Sequence, residues 1–436
     1  MAPDEDCPVK IDNSPPRGTR DLLPDSAAMR DHVLATISEI YHRFGYQRIE
    51  TPALEDLQRL TSGQGGENEK LIFQVLRRGL PARIEAGTEV SELTDLGLRF
   101  DLTVPLTRFY GHHHSQLPLP FRSFQFGPVW RAERPQKGRY RQFYQCDIDI
   151  IGEMSVLAEV ELIEATTAAL AAVGLAGTTV RLSDRRFLSA LAEGAALPPE
   201  SWPAFFIGLD KLDKIGWDGV RRELVEDRGL PATAIDSALT RVHDLTELPQ
   251  DKILDGVADI VPTLTEDVLQ DLATTTGALA ELTTTAEMAW EFDPTLVRGM
   301  GYYTGQIFEI VHPDFPSSLA GGGRYDKLVG RALGKDLPAC GFSIGFERIV
   351  DLLDRTPRSE AVAVLYDTDV TVSRALATAR GLRAGGQRVA VIGRSGKFGA
   401  QLTRLESWGF TALVHLRADD DSTAAPLIRP LTETRP

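Results

Sequence analysis

Hydrophobic positions recur along this chain with two periods, and the switches between them outline its elements. In RDLLPDSAAMRDHVLATISEIYHRFGY, Val33, Ile37, Ile40 and Phe44 are spaced by four, three and four residues, which puts them on one face of a helix. Asp25 or Ser26 is placed to cap its start, and Gly45 to end it in a left-handed turn. QRIETPALE reads as a strand, and residues 103–110 as a second helix ahead of a loop holding His112, His113 and His114. Residues 121–152 give two β-rich stretches around the polar turn ERPQKGR, the signal of a long hairpin. From 155 to 173, Val156, Val160, Ile163, Leu170 and Val173 repeat helically, and Gly174 closes the run.

Residues 175–292 change character: rich in Leu, Ala, Thr, Asp and Glu and broken by prolines, they read as a mostly helical insertion. Strand-like sequence returns at 303–312, followed by AGGGRYDKL and CGFSIGFERIVDLL. The chain then alternates VAVLY (362–366), a helix (370–384), RVAVI (388–392), a helix near 398–408 and TALVHL (411–416). That alternation predicts a small parallel α/β module. The expected divisions are a first core segment at 1–174, the insertion at 175–292, a second core segment at 293–355 and the α/β module at 356–436.

Composition narrows the class. With 436 residues, 42% hydrophobic and 25% charged, the chain suits a multidomain globular protein. A net charge of −15 and a pI near 5.1 exclude an evenly basic surface, so contact with nucleic acid requires local basic patches. Cys7, Cys146 and Cys340 form no CxxC pair, which argues against a disulfide framework or a thiolate zinc site and fits a reducing compartment. MAPDEDCPVK has no apolar run, and the chain has no stretch of about 18 apolar residues, so neither a leader nor a membrane span is expected and the location is cytoplasmic.

The chemistry gathers in the hairpin. If residues 139–150 form one regular strand, Arg139, Arg141, Phe143, Gln145, Asp147 and Asp149 face one way, and Tyr140, Gln142, Tyr144, Cys146, Ile148 and Ile150 the other. Alone, that polar face is equally a solvated one. Between residues 122 and 141, however, six cations (Arg122, Arg131, Arg134, Lys137, Arg139, Arg141) are opposed only by Glu133. Such a patch beside a pocket strand suits polyphosphate or nucleic acid. The run His112–His114 has no Cys or acidic cluster with it and reads as a polar loop, so no side-chain metal site is assigned.

VWRAERPQKGRYRQFYQCDIDIIG resembles motif 2 of class II aminoacyl-tRNA synthetases in the form typical of histidyl-tRNA synthetases. RGTRDLLP resembles that family's amino-terminal signature, and GLRFDLTVPLTRFY its amino-acid-binding strand and helix. LVRGMGYYTGQIFE and AGGGRYDKLVG resemble its two histidine motifs, and GFSIGFER its motif 3, all in the family's order over most of the chain. The fold this implies is an α+β class II synthetase core with a mainly antiparallel sheet, a helical insertion and a C-terminal α/β anticodon-binding-like domain.

The resemblance implies a ligase that converts histidine and ATP to histidyl-adenylate and pyrophosphate, then transfers histidine to tRNA(His). It places Arg131 on the α-phosphate, Glu133 on adenine, and Phe143 and Arg348 either side of the adenine ring, with Arg139 also in the ATP set. Arg298 would supply a second catalytic cation. Its parity differs from that of Tyr303, so facing the same pocket requires a bulge at Gly299 or Gly301. Asp101, Thr103 and Gln145 would hold the substrate ammonium, Asp149 one imidazole N–H, and Tyr303 or Tyr325 the other nitrogen. Arg298 and Tyr302 belong to the same histidine set, although Tyr302 and Tyr303 also read as a strand pair with one ring in and one out. Arg134 and Gln136 would contact the tRNA acceptor end. Mg²⁺ is expected with ATP, and a homodimer is expected.

The alternative is a synthetase-like, histidine-sensing regulatory subunit of ATP phosphoribosyltransferase or a specialised synthetase paralogue. Retention of Arg131, Arg298, Arg348 and the C-terminal module favours the ligase. Three departures from the pattern stand out: Gly301 where the family usually has Asp, RADDDSTAAPLIRPLTETRP in place of the closing turn, strand and helix, and acidic Asp419–Asp421 near an expected tRNA surface. DKLDKIGW (210–217) resembles the insertion of eukaryote-type members but carries no catalytic chemistry.

Overall fold

The computed structural model describes residues 12–61, 68–80, 84–85, 87–135, 139–284, 288–298, 302–334, 336–353, 361–420 and 425–431. The chain divides into two units, Met1–Asp354 and Arg355–Pro436. In the first, α1 (Pro24–Arg43) precedes β1 (Gln47–Arg48), β2 (Leu54–Asp56), β3 (Gln74–Leu76), β4 (Thr94–Leu98) and α2 (Thr103–His113). The hairpin β5 (Phe121–Trp130) and β6 (Gln142–Ile151) leads into α3 (Leu157–Ala172) and β7 (Thr178–Asp184). After helices between Arg185 and Leu282 come β8 (Met288–Phe292), β9 (Gln306–His312), β10 (Phe315–Arg324), β11 (Ala339–Ile344) and α4 (Phe346–Leu352).

Eight strands make the main sheet, in the order β1-β5-β6-β11-β10-β9-β7-β8. Its inner pairs are antiparallel, and parallel pairing occurs at the two edges, β1 with β5 and β7 with β8. The alternation along β6 separates two environments. Cys146, Ile148 and Ile150 are fully buried in the core with Val33, Ile37 and Tyr41 of α1 and Leu162 and Ile163 of α3. Asp147 and Asp149 point to the opposite face, where the cavity described below lies.

Several elements depart from the sequence reading. Helix α1 begins not at an Asp25 or Ser26 cap but with Pro24 in its first turn after Leu23, where a missing N–H costs nothing. Gly45 ends it at φ +80°. QRIETPALE is two short strands rather than one, and α2 runs on through His112 and His113 instead of stopping at 110. The 175–292 segment begins and ends in strands of the main sheet, so its helical block is bounded by Arg185 and Leu282.

In the second unit, β12 (Ala361–Tyr366), α5 (Val372–Ala384), β13 (Arg388–Gly393), α6 (Phe398–Ser407), β14 (Ala412–Leu416) and β15 (Arg429–Pro430) form a sheet of order β13-β12-β14-β15. The first three strands are parallel, and β15 adds antiparallel to β14, a short closing strand where none was expected. The acidic stretch makes a local bond at the surface: the Asp420 carboxylate accepts the Arg417 N–H at 2.7 Å.

A buried ion pair ties the end of β10 to α3. Arg324 Nε and Nη2 each donate to a Glu159 carboxylate oxygen at 2.6 Å, and Glu159 is 1% exposed. Truncating Glu159 leaves Arg324 with only the longer 3.4 Å pair to Asp326 and the Glu153 and Ser155 carbonyls to answer its charge. Glu159→Ala is therefore expected to lower the unfolding free energy by about 3–5 kcal/mol, read as a drop in the urea midpoint. A change within about 0.5 kcal/mol, the usual range for surface substitutions, would show that Asp326 and water suffice for Arg324.

Candidate active site

Residues paired across the main sheet fall into rows. One row is Ser123, Asp149, Gly341, Gly323, Ile307 and Ser183; the next is Gln125, Asp147, Ser343, Gly321, Glu309, Arg181 and Glu291. Both rows lie on the face opposite the α1–α3 core, because partners in register share a face. A cavity of about 870 Å³ opens over their middle. Two glycines give its contents room. A Cβ at Gly321 would stand 1.9 Å from Arg298 Nη1, and one at Gly341 would stand 2.1 Å from Asp149 Oδ1. The absent side chains let a guanidinium and a carboxylate lie against the strands.

Asp101, Thr103, Arg131, Glu133, Arg139, Phe143, Gln145, Asp149, Arg298, Tyr302, Tyr303, Tyr325 and Arg348 all line this one cavity. Arg134 is exposed and outside the lining. Gln136, Gly299 and Gly301 lie outside the described residues. Three expectations from parity change. Tyr140 and Tyr144, expected on the core side away from Asp149, line the cavity as well. Tyr302 and Tyr303 both line the cavity, with hydroxyls 3.3 Å apart, instead of one facing in and one out. Arg141 leaves the cavity face, because the strand starts only at Gln142 and the Arg141 Nε instead donates to the Glu133 carbonyl at 3.0 Å.

One end of the cavity is cationic. Arg131 donates from Nε to the Phe100 carbonyl at 3.1 Å, with its guanidinium 5.0 Å from the Phe143 ring centre. Arg139 pairs with Glu133. Arg298 Nη1 donates to Glu309 Oε2 at 3.1 Å, and Arg348 donates to the Ser318 carbonyl. Burial first, and then the field of Arg298, draws the Arg348 guanidinium below its ordinary value. Four guanidiniums with two carboxylates among them leave a surplus of positive charge that suits a polyanion.

The other end is a nest of acceptors. Asp147 and Asp149 are 4% and 3% exposed. The Tyr325 hydroxyl donates to Asp149 Oδ1 at 2.5 Å. Ser343 Oγ donates to Asp147 Oδ1 at 2.5 Å and accepts from Gln145 Nε2 at 3.2 Å. Asp149 Oδ2 and Gln145 Oε1 are buried without a hydrogen-bond partner among the described residues, so a ligand rich in N–H donors would complete them. Burial, followed by the charge of Asp149, pushes Asp147 well above the usual carboxylate range. A cation brought here would lower the cost of ionising both aspartates.

Sequence reasoning gave no role to Asp147, Ser343, Glu309, Tyr140, Tyr144 or Glu347, or to Pro203 and Ile207 of the helix Trp202–Leu209, yet all but Glu309 line the cavity. For Asp147 the signal was present in the alternation of β6. Pro203 and Ile207 carry none, since nothing in their types distinguishes a cavity wall from a core.

The family model described as histidyl-tRNA synthetase matches residues 18–349. A histidine–tRNA ligase of Leifsonia xyli is 48% identical over 430 residues, covering 96% of this chain and 99% of the relative. One from Gloeobacter violaceus is 36% identical over 448 residues, covering 96% and 94%. Among solved structures, the histidyl-tRNA synthetase of Nostoc sp. PCC 7120 has a TM-score of 0.79 at 25% identity, covering 98% of this chain and 96% of that one. A Bacillus halodurans protein titled an ATP phosphoribosyltransferase regulatory subunit/histidyl-tRNA synthetase has a TM-score of 0.75 at 21% identity, covering 93% and 99%, a likeness of fold.

Burial pushes the Asp149 carboxyl up to about 7, against the opposing hydrogen bond from Tyr325. The folded chain thus holds that proton more tightly than the unfolded one. Its stabilising contribution is complete below the ordinary aspartate value of 3.8 and is lost as pH rises towards about 7. Asp149→Asn is expected to lose less melting temperature than the wild type between pH 4 and pH 8. Parallel profiles would show that Asp149 is ionised throughout.

Proposed function

The chain belongs to the histidyl-tRNA synthetase family, and from that membership we propose how its cavity performs the reaction. The activity is ligation of histidine to tRNA(His) with ATP, a step of protein biosynthesis. The observation that carries the reading is the two-ended cavity: guanidiniums at one end for polyphosphate, buried carboxylates and tyrosines at the other for an amino acid with a cationic amine and an N–H-bearing ring.

Histidine would sit with its ammonium among Asp101, Thr103 and Gln145, with Asp147 adding a further carboxylate. Its imidazole would lie between Asp149 and the hydroxyls of Tyr303 and Tyr325, with Tyr302 behind them. A site that hydrogen-bonds both ring nitrogens rejects analogues lacking them by about 10⁴–10⁵-fold. ATP would place adenine between Phe143 and Arg348, near Glu133, with Arg131 on the α-phosphate and Arg139 on the outer phosphates. The histidine carboxylate then attacks the α-phosphorus in line; its new P–O bond forms as the bond to pyrophosphate breaks. Arg131 and Arg298 answer the charge that spreads over the phosphoryl oxygens. In the second step a ribose hydroxyl of the terminal adenosine attacks the acyl carbon and AMP leaves.

Magnesium would arrive on the ATP phosphates; among the described residues no group of three or more His, Cys, Asp or Glu could hold a metal. Arg134, which is exposed, and Gln136 are proposed to meet the acceptor end, and the second unit, with its exposed Trp408, to stack unpaired anticodon bases. A homodimer is proposed through the small sheet β2-β4-β3. Its outer face presents Leu54 and Leu96, 43% and 36% exposed, with Leu76 at 61% beside them, an apolar surface that a second copy would cover. A cytoplasmic location follows from the substrate; among the described residues no helix is long and apolar enough to cross a membrane.

Histidine-dependent ATP–pyrophosphate exchange tests the reading, with the other amino acids as controls. Exchange with histidine alone is expected, and its absence from folded protein that binds histidine would refute the placement of ATP. Arg298→Ala should cut exchange about 10²–10³-fold, as loss of a transition-state charge does, and an undiminished rate removes its role. Asp149→Ala should raise the histidine KM far more than the ATP KM, whereas equal increases would sink the specificity assignment.

A further inference from the structure

The amino-terminal motif RGTR, residues 17–20, has no part in the reaction as derived, yet it is wired into the cavity wall. The Gly18 carbonyl accepts the Arg141 N–H at 2.7 Å, and the Arg141 carbonyl in turn accepts the Arg131 N–H at 2.8 Å. Gly18 has φ +87°, and a Cβ there would meet Arg141 Cδ at 2.9 Å, so only glycine lets the strap lie this close to the hairpin. Arg20 stacks its guanidinium 4.1 Å from the Tyr140 ring centre, donates from Nη1 to the Tyr140 hydroxyl at 3.0 Å, and pairs through Nη2 with Glu347.

Glu347 is the common partner. It is 8% exposed, stands beside Arg348 at the start of α4, and accepts Arg30 Nη1 at 2.6 Å, Arg30 Nη2 at 2.9 Å and the Tyr144 N–H at 3.1 Å. Arg30 and Tyr144 alone therefore answer the carboxylate. Arg20, with a side chain 31% exposed, is surplus to neutralising it. What Arg20 adds is a rigid link between two walls: the hairpin root through Tyr140, and the α4 start through Glu347.

We infer that the amino-terminal strap is a positioning element for the nucleotide half of the cavity, with Arg20 holding Arg131 and Arg348 at the separation that ATP spans. This rests on the placement of ATP proposed above. Arg20 touches no reacting atom, so its loss should appear in nucleotide binding and not in histidine binding.

The test is steady-state pyrophosphate exchange on the full chain, with ATP and histidine varied separately, for Arg20→Ala, Arg20→Lys, Tyr140→Phe and, as reference, Arg348→Ala. Arg20→Ala is expected to raise the ATP KM about tenfold, the worth of one charge-assisted hydrogen bond, while the histidine KM stays within about twofold and the melting temperature holds. Arg20→Lys, which keeps a cation on Glu347, should recover part of the loss, and Tyr140→Phe should show a smaller rise. If Arg348→Ala raises the ATP KM and Arg20→Ala does not, the strap has no positioning role and ATP stays where it was placed. If Arg20→Ala raises both KM values equally, or melts early while Tyr140→Phe is neutral, the strap is a structural brace and the inference is overturned. If Arg348→Ala leaves the ATP KM unchanged, the ATP placement itself fails and takes the inference with it.

Discussion

Charge survives against a sheet only where another group answers it, and that constraint organises the first unit. One row of the sheet carries Gln125, Asp147, Ser343, Glu309 and Arg181 on the face over which the cavity opens, with Asp147 and Ser343 in its wall. Ser343 answers Asp147, and Glu309 answers Arg298. Arg181 lies 3.8 Å from Glu309 and donates to Glu291 at 2.9 Å, so Arg298, Glu309 and Arg181 each have a neighbour of opposite sign, while Asp147 has a hydroxyl. Gly321 and Gly341 follow from the same constraint, because a guanidinium and a carboxylate cannot lie flat on strands that bear side chains beneath them. The acceptors left incomplete, Asp149 Oδ2 and Gln145 Oε1, are those that substrate N–H groups would finish.

The fold by itself does not carry the chemistry. A protein whose title also includes a regulatory subunit superposes on this chain with a TM-score of 0.75. The distinction lies in side chains: Arg131, Arg139, Arg298 and Arg348 converge on one cavity, more positive charge than a sensor of histidine alone would require. The insertion also contributes wall as well as bulk. Pro203 and Ile207 reach the cavity from the helix Trp202–Leu209, so apolar surface from outside the signature motifs limits the water around the reacting groups.

How much was legible in the sequence depended on range. Period-2 alternation in β6 placed Phe143, Gln145, Asp147 and Asp149 on one side and Cys146, Ile148 and Ile150 on the other, because a strand's geometry is local. The faces of α1 and α3 and the alternation of the second unit were readable for the same reason. Arg141 escaped the pattern because the strand starts one residue later and backbone partners at Gly18 and Glu133 claim it. Tyr302 did so because it lies in a turn before β9, where parity has no meaning. The Arg20–Glu347 pair spans 327 positions, and no periodicity encodes a contact at that separation. Family resemblance supplied the names of the motifs, but not the partners that hold them.

The division of β6 from Gln145 to Ile151 into a core side and a cavity side has a consequence for how this region can vary in length. Removing one residue between Gln142 and Ile151 would rotate everything beyond it by half a pleat, sending Asp147 and Asp149 into the space of Cys146 and Ile148 and leaving aliphatic groups over the cavity. Beyond the last ladder pair, Trp130 with Gln142, the Arg131 N–H still bonds the Arg141 carbonyl at 2.8 Å, so a deletion beside these residues would move the Arg131 guanidinium as well. Losses of single residues are thus costly along the whole stem, because the backbone that alternates core and cavity side chains also sets the spacing from Arg131 to Asp149.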